Sequence, residues 1–323
     1  MVASKRHLLY NRSVADALLQ LRCTAVVEAA LARGGAVVAL ESSVLAQGLV
    51  PPFNREAARR MCAAVEKAGA TPAVTAVVRG VPALGLDGAD LERFLARDGV
   101  RKVSARDLAF AMADQADGAT TVAATLALCA MGGIEVFATG GIGGVHRDAP
   151  FDESADLLEL ARTPVIVICA GAKSILDLPA TMERLESLGV PVVGYRTSEL
   201  PGFFTESTGL ALGTRADSAA HIASAWRAHR AIGRRSAMLV VQPPPTHAAL
   251  SPALMEAATV AALARATSLG VRGAAVTPFL LAEVQRRTNG ASVQANLALL
   301  EANAALAGEI AVALQSGTFP GIN

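Results

Sequence analysis

Short apolar segments alternate along this chain with longer segments of helical periodicity. The apolar segments are VVAL, AVTAVV, VFAT, VIVICA, VPVVGY and AMLVVQ, and they are accompanied by helical stretches such as NREAARRMCAAVEKAG and PALMEAATVAALARATSLG. Continuous apolar runs of this length are typical of strands that are covered on both faces. The pattern therefore predicts an α/β protein with three layers, α/β/α, around a mixed, largely parallel central sheet.

A single domain covering residues 23–323 explains this alternation better than two domains. The length of 323 residues would allow two domains, but no Pro/Ser-rich linker, low-complexity tract or fixed-period repeat divides the chain. Residues 1–22 form an N-terminal extension with five basic residues, counting His7, and one acidic residue. A plain extension fits better than an organelle-targeting segment, because Asp16 and the modest serine content are unusual in a transit peptide.

Composition narrows the class of protein further. The chain is 52% hydrophobic, which suits a large core, and its net charge of +1 argues against binding to a nucleic-acid polymer. No uninterrupted apolar run reaches about 18 residues, so we expect no membrane span. The four cysteines lack C-x-x-C spacing, which predicts reduced core thiols of a cytoplasmic protein.

The segment TPVIVICAGAKSIL places a lysine at the end of a buried strand. Lys173 follows Ala170, Gly171 and Ala172, where loss of hydration would favour the neutral, nucleophilic amine. Strand ends are also where open α/β sheets bind their ligands. Taken alone, the segment fits a lysine that caps the sheet and reaches water better, and only the neighbouring segments favour a catalytic role.

Four glycines crowd the next upstream strand end, in VFATGGIGGVHR. They match neither the Walker pattern nor a full dinucleotide-binding fingerprint. Two interpretations stay open: a tight turn that needs positive φ angles, and a phosphate cradle made of backbone amides. Thr139 and His146 flank the turn and are candidate substrate-binding side chains in either case.

Nine sequence blocks follow one another in a recognisable order. They are VALESSVLAQGL, KVSARDL, GATTVAAT, VFATGGIGGVHR, SADLLELARTPV, CAGAKSILDLP, VPVVGY, TPFLL and SVQANLALLEANAALAGEIA. This series resembles the pseudouridine-5′-phosphate glycosidase family, also called indigoidine synthase A-like, over roughly residues 20–314. The resemblance implies an enzyme that reversibly cleaves the carbon–carbon glycosidic bond of pseudouridine 5′-phosphate to give uracil and ribose 5-phosphate, in pseudouridine catabolism.

The resemblance assigns the chemistry to Lys173 and Glu41. A C-glycosidic bond has no leaving oxygen to protonate, so the two-carboxylate chemistry of ordinary glycosidases is insufficient. The resemblance implies that Lys173 opens the ribose ring and forms an imine at C1′, which turns this carbon into an electron sink. It implies that Glu41 moves protons during ring opening or at the departing uracil carbon. From the residues alone, Glu41 also fits an N-cap or ion-pair carboxylate.

The resemblance also implies contacts with the substrate for Lys102, Val122, Ser154, Ala155, Asp156 and Asn296. Lys102 would favour a neutral Lys173 amine or offset the charge of the phosphate, and Val122 would act through its backbone. Without the resemblance, Lys102 fits a solvated basic pair with Arg101, and Asp156 fits an acidic first turn favoured by the helix dipole.

A divalent cation and a trimeric assembly are further implications of the resemblance. Asp152 matches a ligand of Mn²⁺, with Mg²⁺ as the alternative, and a cation held by one carboxylate keeps several waters. An acidic first turn is again the competing interpretation. The expected assembly is a homotrimer. The helix that carries Asn303 is a candidate contact surface, since we expect Asn303 to bond local backbone or a neighbouring subunit.

Four departures from the family pattern bear on affinity. The loop between His146 and Asp152 is two residues shorter, and Glu153 replaces an apolar residue beside the metal ligand. Gln47 stands where a histidine is usual, and Ala105 replaces an arginine. The first two affect metal binding and loop closure, and the other two affect contacts with the substrate.

Two other functions are compatible with these residues. One is a catalytically impaired protein that still binds sugar phosphates. The other is a different imine-forming enzyme, such as an aldolase acting on phosphorylated sugars. Both would use the same lysine and the same anion-binding groups, so the motifs alone do not exclude them.

Overall fold

The computed structural model describes residues 21–147, 151–272 and 276–316. Its strands are β1 (Arg22–Cys23), β2 (Val37–Glu41), β3 (Thr71–Val78), β4 (Val81–Leu84), β5 (Arg101–Val103), β6 (Gly118–Thr120), β7 (Val136–Ala138), β8 (Val145–His146), β9 (Ile166–Cys169), β10 (Leu176–Asp177), β11 (Val192–Tyr195), β12 (Arg215–Ala216) and β13 (Met238–Val241). Its α-helices are α1 (Ala25–Ala32), α2 (Phe53–Lys67), α3 (Gly88–Ala96), α4 (Leu108–Ala113), α5 (Val122–Gly132), α6 (Ala155–Arg162), α7 (Leu178–Ser187), α8 (Ala219–Ala231), α9 (Pro252–Ser268), α10 (Val276–Arg287) and α11 (Ala291–Gln315). A π-helical turn covers Val44–Gly48, and a 3-10 turn covers Ala105–Asp107.

The central sheet is mixed and largely parallel, which confirms the predicted fold class. Within the described residues, eleven strands pair in the order β1-β4-β3-β2-β7-β9-β13-β11-β12, with β6 beside β3 and β5 beside β6. The antiparallel pairs in this sheet are β3–β4 and β3–β6. Every residue of β2, β9 and β13 is buried, as expected for strands covered on both faces.

Helices cover the sheet and complete the three layers. The long helix α11 packs on β2, β7 and β9 and against α2 and α8, while α5 packs on β2, β3, β4 and β7 and against α6. By length and composition alone α11 could cross a membrane, but 56% of its apolar window is buried inside the molecule. Its apolar character is therefore explained by its place in the core.

One large cluster of buried apolar side chains extends from Val27 to Ala311, while the division into an extension and one domain stays a prediction. Arg22, the last residue of the predicted extension, pairs with Ala83 in the β1–β4 ladder. Residues 1–20, and with them most of the predicted extension, lie outside the described residues. The four cysteines are free thiols, as predicted, and two of them are fully buried.

The glycine-rich turn between β7 and β8 does not need positive φ angles. None of its four glycines has a φ in the left-handed region, so that interpretation was wrong. Close packing explains them instead: a Cβ on Gly141 would lie 2.6 Å from the ring of Phe203, and a Cβ on Gly143 would collide with Ser154. The turn is thus pressed against its neighbours at positions that leave no room for a side chain.

Asn303 of α11 lies in the core, with 1% of its surface exposed. Its Nδ2 donates to the carbonyl oxygen of Thr139 at 2.8 Å, and its Oδ1 accepts from Gln242 Nε2 at 2.9 Å. The expectation that Asn303 bonds local backbone or a neighbouring subunit was therefore wrong. Its side chain instead supports the backbone at the end of β7, where the strand ladder no longer satisfies the carbonyl groups.

We expect Asn303→Ala to lower the free energy of unfolding by about 1–3 kcal/mol, because it leaves Gln242 and a buried carbonyl without their partner. Urea unfolding followed by circular dichroism measures this loss. Gln294→Ala, at an exposed position of the same helix, is the matched control. Because alanine is the better helix former at both positions, an equal loss in both variants would show that the effect does not come from the buried amide.

Candidate active site

The carboxyl ends of three neighbouring parallel strands converge at one edge of the sheet. Leu40 of β2 pairs with Ala138 of β7, which pairs in turn with Ile168 of β9. Glu41 ends β2, Thr139 directly follows β7, and Lys173 follows β9 after three small residues. Because parallel strands end at the same edge, the topology brings together side chains that are far apart in the sequence.

Two hydroxyl groups hold the carboxylate of Glu41, which is only 6% exposed. Thr139 Oγ1 donates to Glu41 Oε1 at 2.5 Å, and Ser43 Oγ donates to Oε2 at 2.8 Å. The alternative roles of Glu41, an N-cap or an ion-pair carboxylate, do not describe these contacts. Thr139, predicted as a substrate contact, here orients the candidate proton-transfer group.

Burial raises the pKa of Glu41 above its ordinary value. The positive charge of Lys173 and the hydrogen bonds from Thr139 and Ser43 oppose this rise, while the negative charge of Asp156 adds to it. A carboxyl group with a raised pKa is more often protonated near neutral pH. Glu41 is therefore suited to give a proton as well as to accept one.

Lys102 of β5 reaches the same site from the neighbouring strand pair. Burial of its ammonium group lowers its pKa, the charge of Lys173 lowers it further, and Glu41 and Asp156 oppose the change. Because part of the side chain remains exposed, solvent moderates this effect. The predicted proximity of Lys102 to Lys173 is thus present in the structure.

Two cavities that share part of their walls open beside these residues, and they are named here the apolar lobe and the polar lobe. Glu41, Ser43, Lys102 and Lys173 line both lobes, so the catalytic candidates lie between them. The apolar lobe, about 70 Å³, is further lined by Val44, Gln47, Gly48, Gly140, Gly141, Phe203, Pro278, Leu281 and Asn296. The polar lobe, about 340 Å³, is further lined by Ser104, Arg106, Asp107, Thr121, Val122, Gly143, His146, Asp152, Glu153, Ser154, Ala155, Asp156 and Leu176.

The polar lobe contains most of the predicted substrate-binding residues. Val122 begins α5, and Ser154 caps α6, with its Oγ accepting from the N–H of Asp156 at 3.2 Å. Ala155 opens the same helix, and His146 lies on β8 at the lobe's wall. Two helix amino termini therefore face this lobe, an arrangement that favours an anionic ligand.

Asp156 performs a structural task within this lobe. Its Oδ1 accepts from the N–H of Ala123 at 3.0 Å, and its Oδ2 accepts from the N–H of Gly143 at 2.8 Å. The carboxylate thereby ties the start of α5 to the glycine-rich turn. The amide of Gly143 is used in this contact, so a phosphate cradle of all four glycine amides is not available.

The predicted metal ligand Asp152 is exposed at the polar lobe. Its carbonyl oxygen accepts from the N–H of His146 at 3.0 Å, which places the two residues side by side. Glu153 is held away by Arg184 at 2.8 Å. In the described ranges, no group of three or more His, Cys, Asp and Glu side chains could hold a metal. Residues 148–150 of the shortened loop lie outside the described residues.

Several site residues were missed by the sequence analysis. Behind Glu41, a buried network links Ser42, Thr75, Thr120 and Thr125, with Thr75 Oγ1 and Thr120 Oγ1 2.8 Å apart. Ser43 lies in the block VALESSVLAQGL and Arg106 lies in the block KVSARDL, but nothing in these blocks indicates a role in the site for either residue. The rarity of lysine is a further sequence signal for the assignment of Lys102 and Lys173 to the site. The chain has only four lysines, Lys5, Lys67, Lys102 and Lys173, among 29 lysines and arginines.

Comparison with known proteins identifies the family of the chain. The model of the family described as "Indigoidine synthase A like protein" matches residues 26–313. The chain belongs to the indigoidine synthase A-like family. The resemblance read from the nine sequence blocks is thereby confirmed.

Relatives in this family share most of their sequence with the chain. The "Pseudouridine-5′-phosphate glycosidase" of Gemmatimonas aurantiaca is 72% identical over 305 residues, which cover 94% of this chain and 100% of the relative. The protein of the same name from Herpetosiphon aurantiacus is 53% identical, covering 89% of this chain and 96% of the relative.

Two solved structures of the family have the same fold. The prealnumycin C-glycosynthase AlnA, in complex with ribulose 5-phosphate, has a TM-score of 0.85 at 38% identity and covers 92% of this chain and 97% of its own. An indigoidine synthase A-like protein from Thermotoga maritima has a TM-score of 0.84 at 34% identity, with 91% and 96% covered.

The raised pKa of Glu41 predicts that the charged carboxylate lowers stability. The folded protein holds the Glu41 proton more tightly than the unfolded chain, so stability falls as pH rises from 4.5, the ordinary value, through the raised pKa. We expect Glu41→Gln to be more stable than the native protein at pH 7 and to lose this advantage below about pH 4. Unfolding in urea at a series of pH values measures the difference.

Glu183→Gln, at an exposed position of α7, is the control for this series. A difference in the free energy of unfolding between Glu41→Gln and the native protein that does not change with pH would contradict the assignment of the buried proton to Glu41. The same pH dependence in the control variant would also contradict it.

Proposed function

We propose that this protein is a pseudouridine-5′-phosphate glycosidase, which reversibly cleaves pseudouridine 5′-phosphate to uracil and ribose 5-phosphate. The observation that carries the proposal is the meeting of Lys173 and Glu41, from the ends of β9 and β2, in one cavity. Relatives with that name are identical to this chain at up to 72% of positions. The bound ribulose 5-phosphate of AlnA supports a phosphorylated pentose as the ligand class.

In this reaction the base leaves through a carbon atom, so breaking the C1′–C5 bond requires electron donation at C1′. The nitrogen of a lysine bonded to C1′ provides it by forming an imine. The free amine of Lys173 attacks C1′ and forms a C–N bond while the C1′–O4′ bond breaks, and Glu41 gives its proton to O4′. The Glu41 carboxylate then takes a proton from the positively charged Lys173 nitrogen and gives it to C5 of uracil. The electrons of the C1′–C5 bond pass to the base, and the nitrogen lone pair forms the C1′ imine. Water hydrolyses the imine, which releases ribose 5-phosphate and regenerates the lysine.

Each structural feature of Glu41 suits this sequence of proton transfers. Its raised pKa keeps a share of the carboxyl protonated for the first step, and the hydrogen bonds from Thr139 and Ser43 fix its direction. After uracil has left, the Glu41 carboxylate can take a proton from the water that attacks the imine, which restores the protonated carboxyl group. That the Lys173 amine is neutral before the attack remains a prediction.

The sugar phosphate is assigned to the polar lobe. Lys102, Arg106 and the amino termini of α5 and α6 face this lobe and favour an anion. Val122, Ser154, Ala155 and His146 line this lobe, which supports their assignment as contacts with the sugar phosphate. Asp156 would act through the backbone groups that it holds in place.

A divalent cation at Asp152 is part of the proposal. The donors present fit a hard cation, Mn²⁺ or Mg²⁺, that keeps most of its waters, because one exposed carboxylate faces a polar cavity. Such a cation would offset the negative charge of the substrate phosphate.

The proposal also includes the cytoplasm as the location and a homotrimer as the assembly. Sedimentation equilibrium measures the number of subunits in the assembly. Asn303 is too deeply buried to be a subunit contact.

We expect Lys173→Ala to reduce uracil release by about 10³-fold or more, because the covalent route is lost. Release of uracil from pseudouridine 5′-phosphate, followed by chromatography, measures the rate. Borohydride added with ribose 5-phosphate should leave a reduced adduct on Lys173 of the native protein, located by peptide mass spectrometry. Lys67→Ala, at an exposed position of α2, should keep normal turnover.

The same experiment separates the competing functions. Normal turnover by Lys173→Ala would exclude the imine route. An adduct with ribose 5-phosphate but no release of uracil would favour the impaired sugar-phosphate-binding protein. Condensation of ribose 5-phosphate with short aldehydes, in place of uracil, would favour the aldolase.

We expect chelation by EDTA to lower activity and added Mn²⁺ to restore it. Asp152→Asn should raise the Mn²⁺ concentration needed for half-maximal activity by about tenfold or more, because a neutral amide is a weaker ligand for a hard cation. Asp98→Asn, at an exposed position that does not line the polar lobe, is the matched control. Full activity of the native protein after chelation would remove the cation from the proposal.

A further inference from the structure

Two side-chain amides that line the apolar lobe each hold a buried oxygen. Gln47 Oε1 and Asn296 Oδ1 are both shielded from solvent and unpaired among the residues that the structure describes. Both residues line the same small lobe. Buried acceptors without donors are uncommon in folded proteins and destabilise them. Two of them in one ligand cavity indicate that a ligand supplies the missing donors.

The orientation of the Gln47 amide is set by its surroundings. Its Nε2 donates to the carbonyl oxygen of Val100 at 3.2 Å. A carbonyl can only accept, so the nitrogen must face Val100 and the oxygen must lie on the other side of the amide. Arg97 holds the π-helical turn that carries Gln47, because its guanidinium group donates to the carbonyl oxygens of Ala46, at 2.5 Å, and Gln47, at 3.3 Å.

The remaining wall of the lobe is apolar and firmly placed. Phe203 donates its N–H to the carbonyl oxygen of Ala170 at 3.0 Å, and its ring packs against Gly141, where no side chain would fit. Pro278 and Leu281 complete the apolar lining. A flat ring with apolar faces and N–H groups at its edge matches such a lobe, whereas a phosphate would face the lone pairs of two amide oxygens.

We propose that Gln47 is a specificity-determining residue whose Oε1 accepts a hydrogen bond from a ring N–H of the pyrimidine in the apolar lobe. This inference rests on the proposed function and assigns the two lobes to the two halves of the substrate. Uracil carries two ring N–H groups beside its carbonyl groups. Asn296, whose amide is otherwise unpaired among the described residues, lines the same lobe. It can form a hydrogen bond with the edge of the pyrimidine ring that Gln47 does not contact.

The test compares how uracil and ribose 5-phosphate bind to the native protein and to Gln47→Met, which keeps the side-chain length and removes the acceptor. Calorimetric titration of each ligand alone measures binding without turnover. We expect Gln47→Met to weaken uracil binding about 10- to 100-fold, the loss typical of one unpaired buried hydrogen bond. The affinity for ribose 5-phosphate should not change. Gln294→Met, at an exposed position of α11, is the control.

A second variant protects the test against a folding defect in the first. Gln47→Asn keeps the amide but withdraws its oxygen by one methylene, and it should also weaken uracil binding. Equal uracil affinity in the native protein and in a folded Gln47 variant would overturn the inference, as would equal losses for both ligands. So would the lack of measurable uracil binding by the native protein.

The two proposals fail in different ways. If the native protein binds uracil through Gln47 but does not cleave pseudouridine 5′-phosphate, the proposed reaction is wrong and the base-binding lobe remains. If it cleaves the substrate while the Gln47 variants bind uracil normally, only the inference about Gln47 is wrong.

Discussion

The hydrogen bond between Thr139 and Glu41 is the contact on which the site depends. It joins the ends of β7 and β2 at 2.5 Å, and it exists only because these strands are parallel neighbours whose ladder ends at the same level. It gives a buried carboxyl group a fixed direction while leaving its pKa raised. A group that must both give and accept protons needs this combination of burial and partial compensation.

The helix α11 supports the contact between Thr139 and Glu41 through buried hydrogen bonds. Gln242, which follows β13, donates to Asn303, and Asn303 donates to the carbonyl oxygen of Thr139. A chain of polar groups thus links the ends of β13, β7 and β2 through the apolar helix α11. Such networks specify one arrangement of the core because every member needs its partner. The rigidity of the site is therefore built into the packing of the longest helix.

The use of lysine in this chain is consistent with the chemistry of the site. Arginine supplies nearly all of the basic groups, including those of the surface ion pairs. Arginine cannot lose its proton in a protein, whereas lysine can. Two of the four lysines face one cavity. Lys173 is the position of the proposed nucleophilic amine, and Lys102 is the second charge beside it.

The sequence by itself determined the fold class, because buried strands require continuous apolar runs and helices require a period of about 3.6 residues. It also supplied the family and the residues Lys173 and Glu41, since long blocks of sequence are specific. It could not show that Asn303 supports Thr139, that Asp156 ties backbone amides, or that the glycines serve close packing, because these contacts join distant segments. Only the tertiary structure decided that Gln47 and Asn296 share an apolar lobe, since periodicity describes neighbours along the chain and says nothing of neighbours across a cavity.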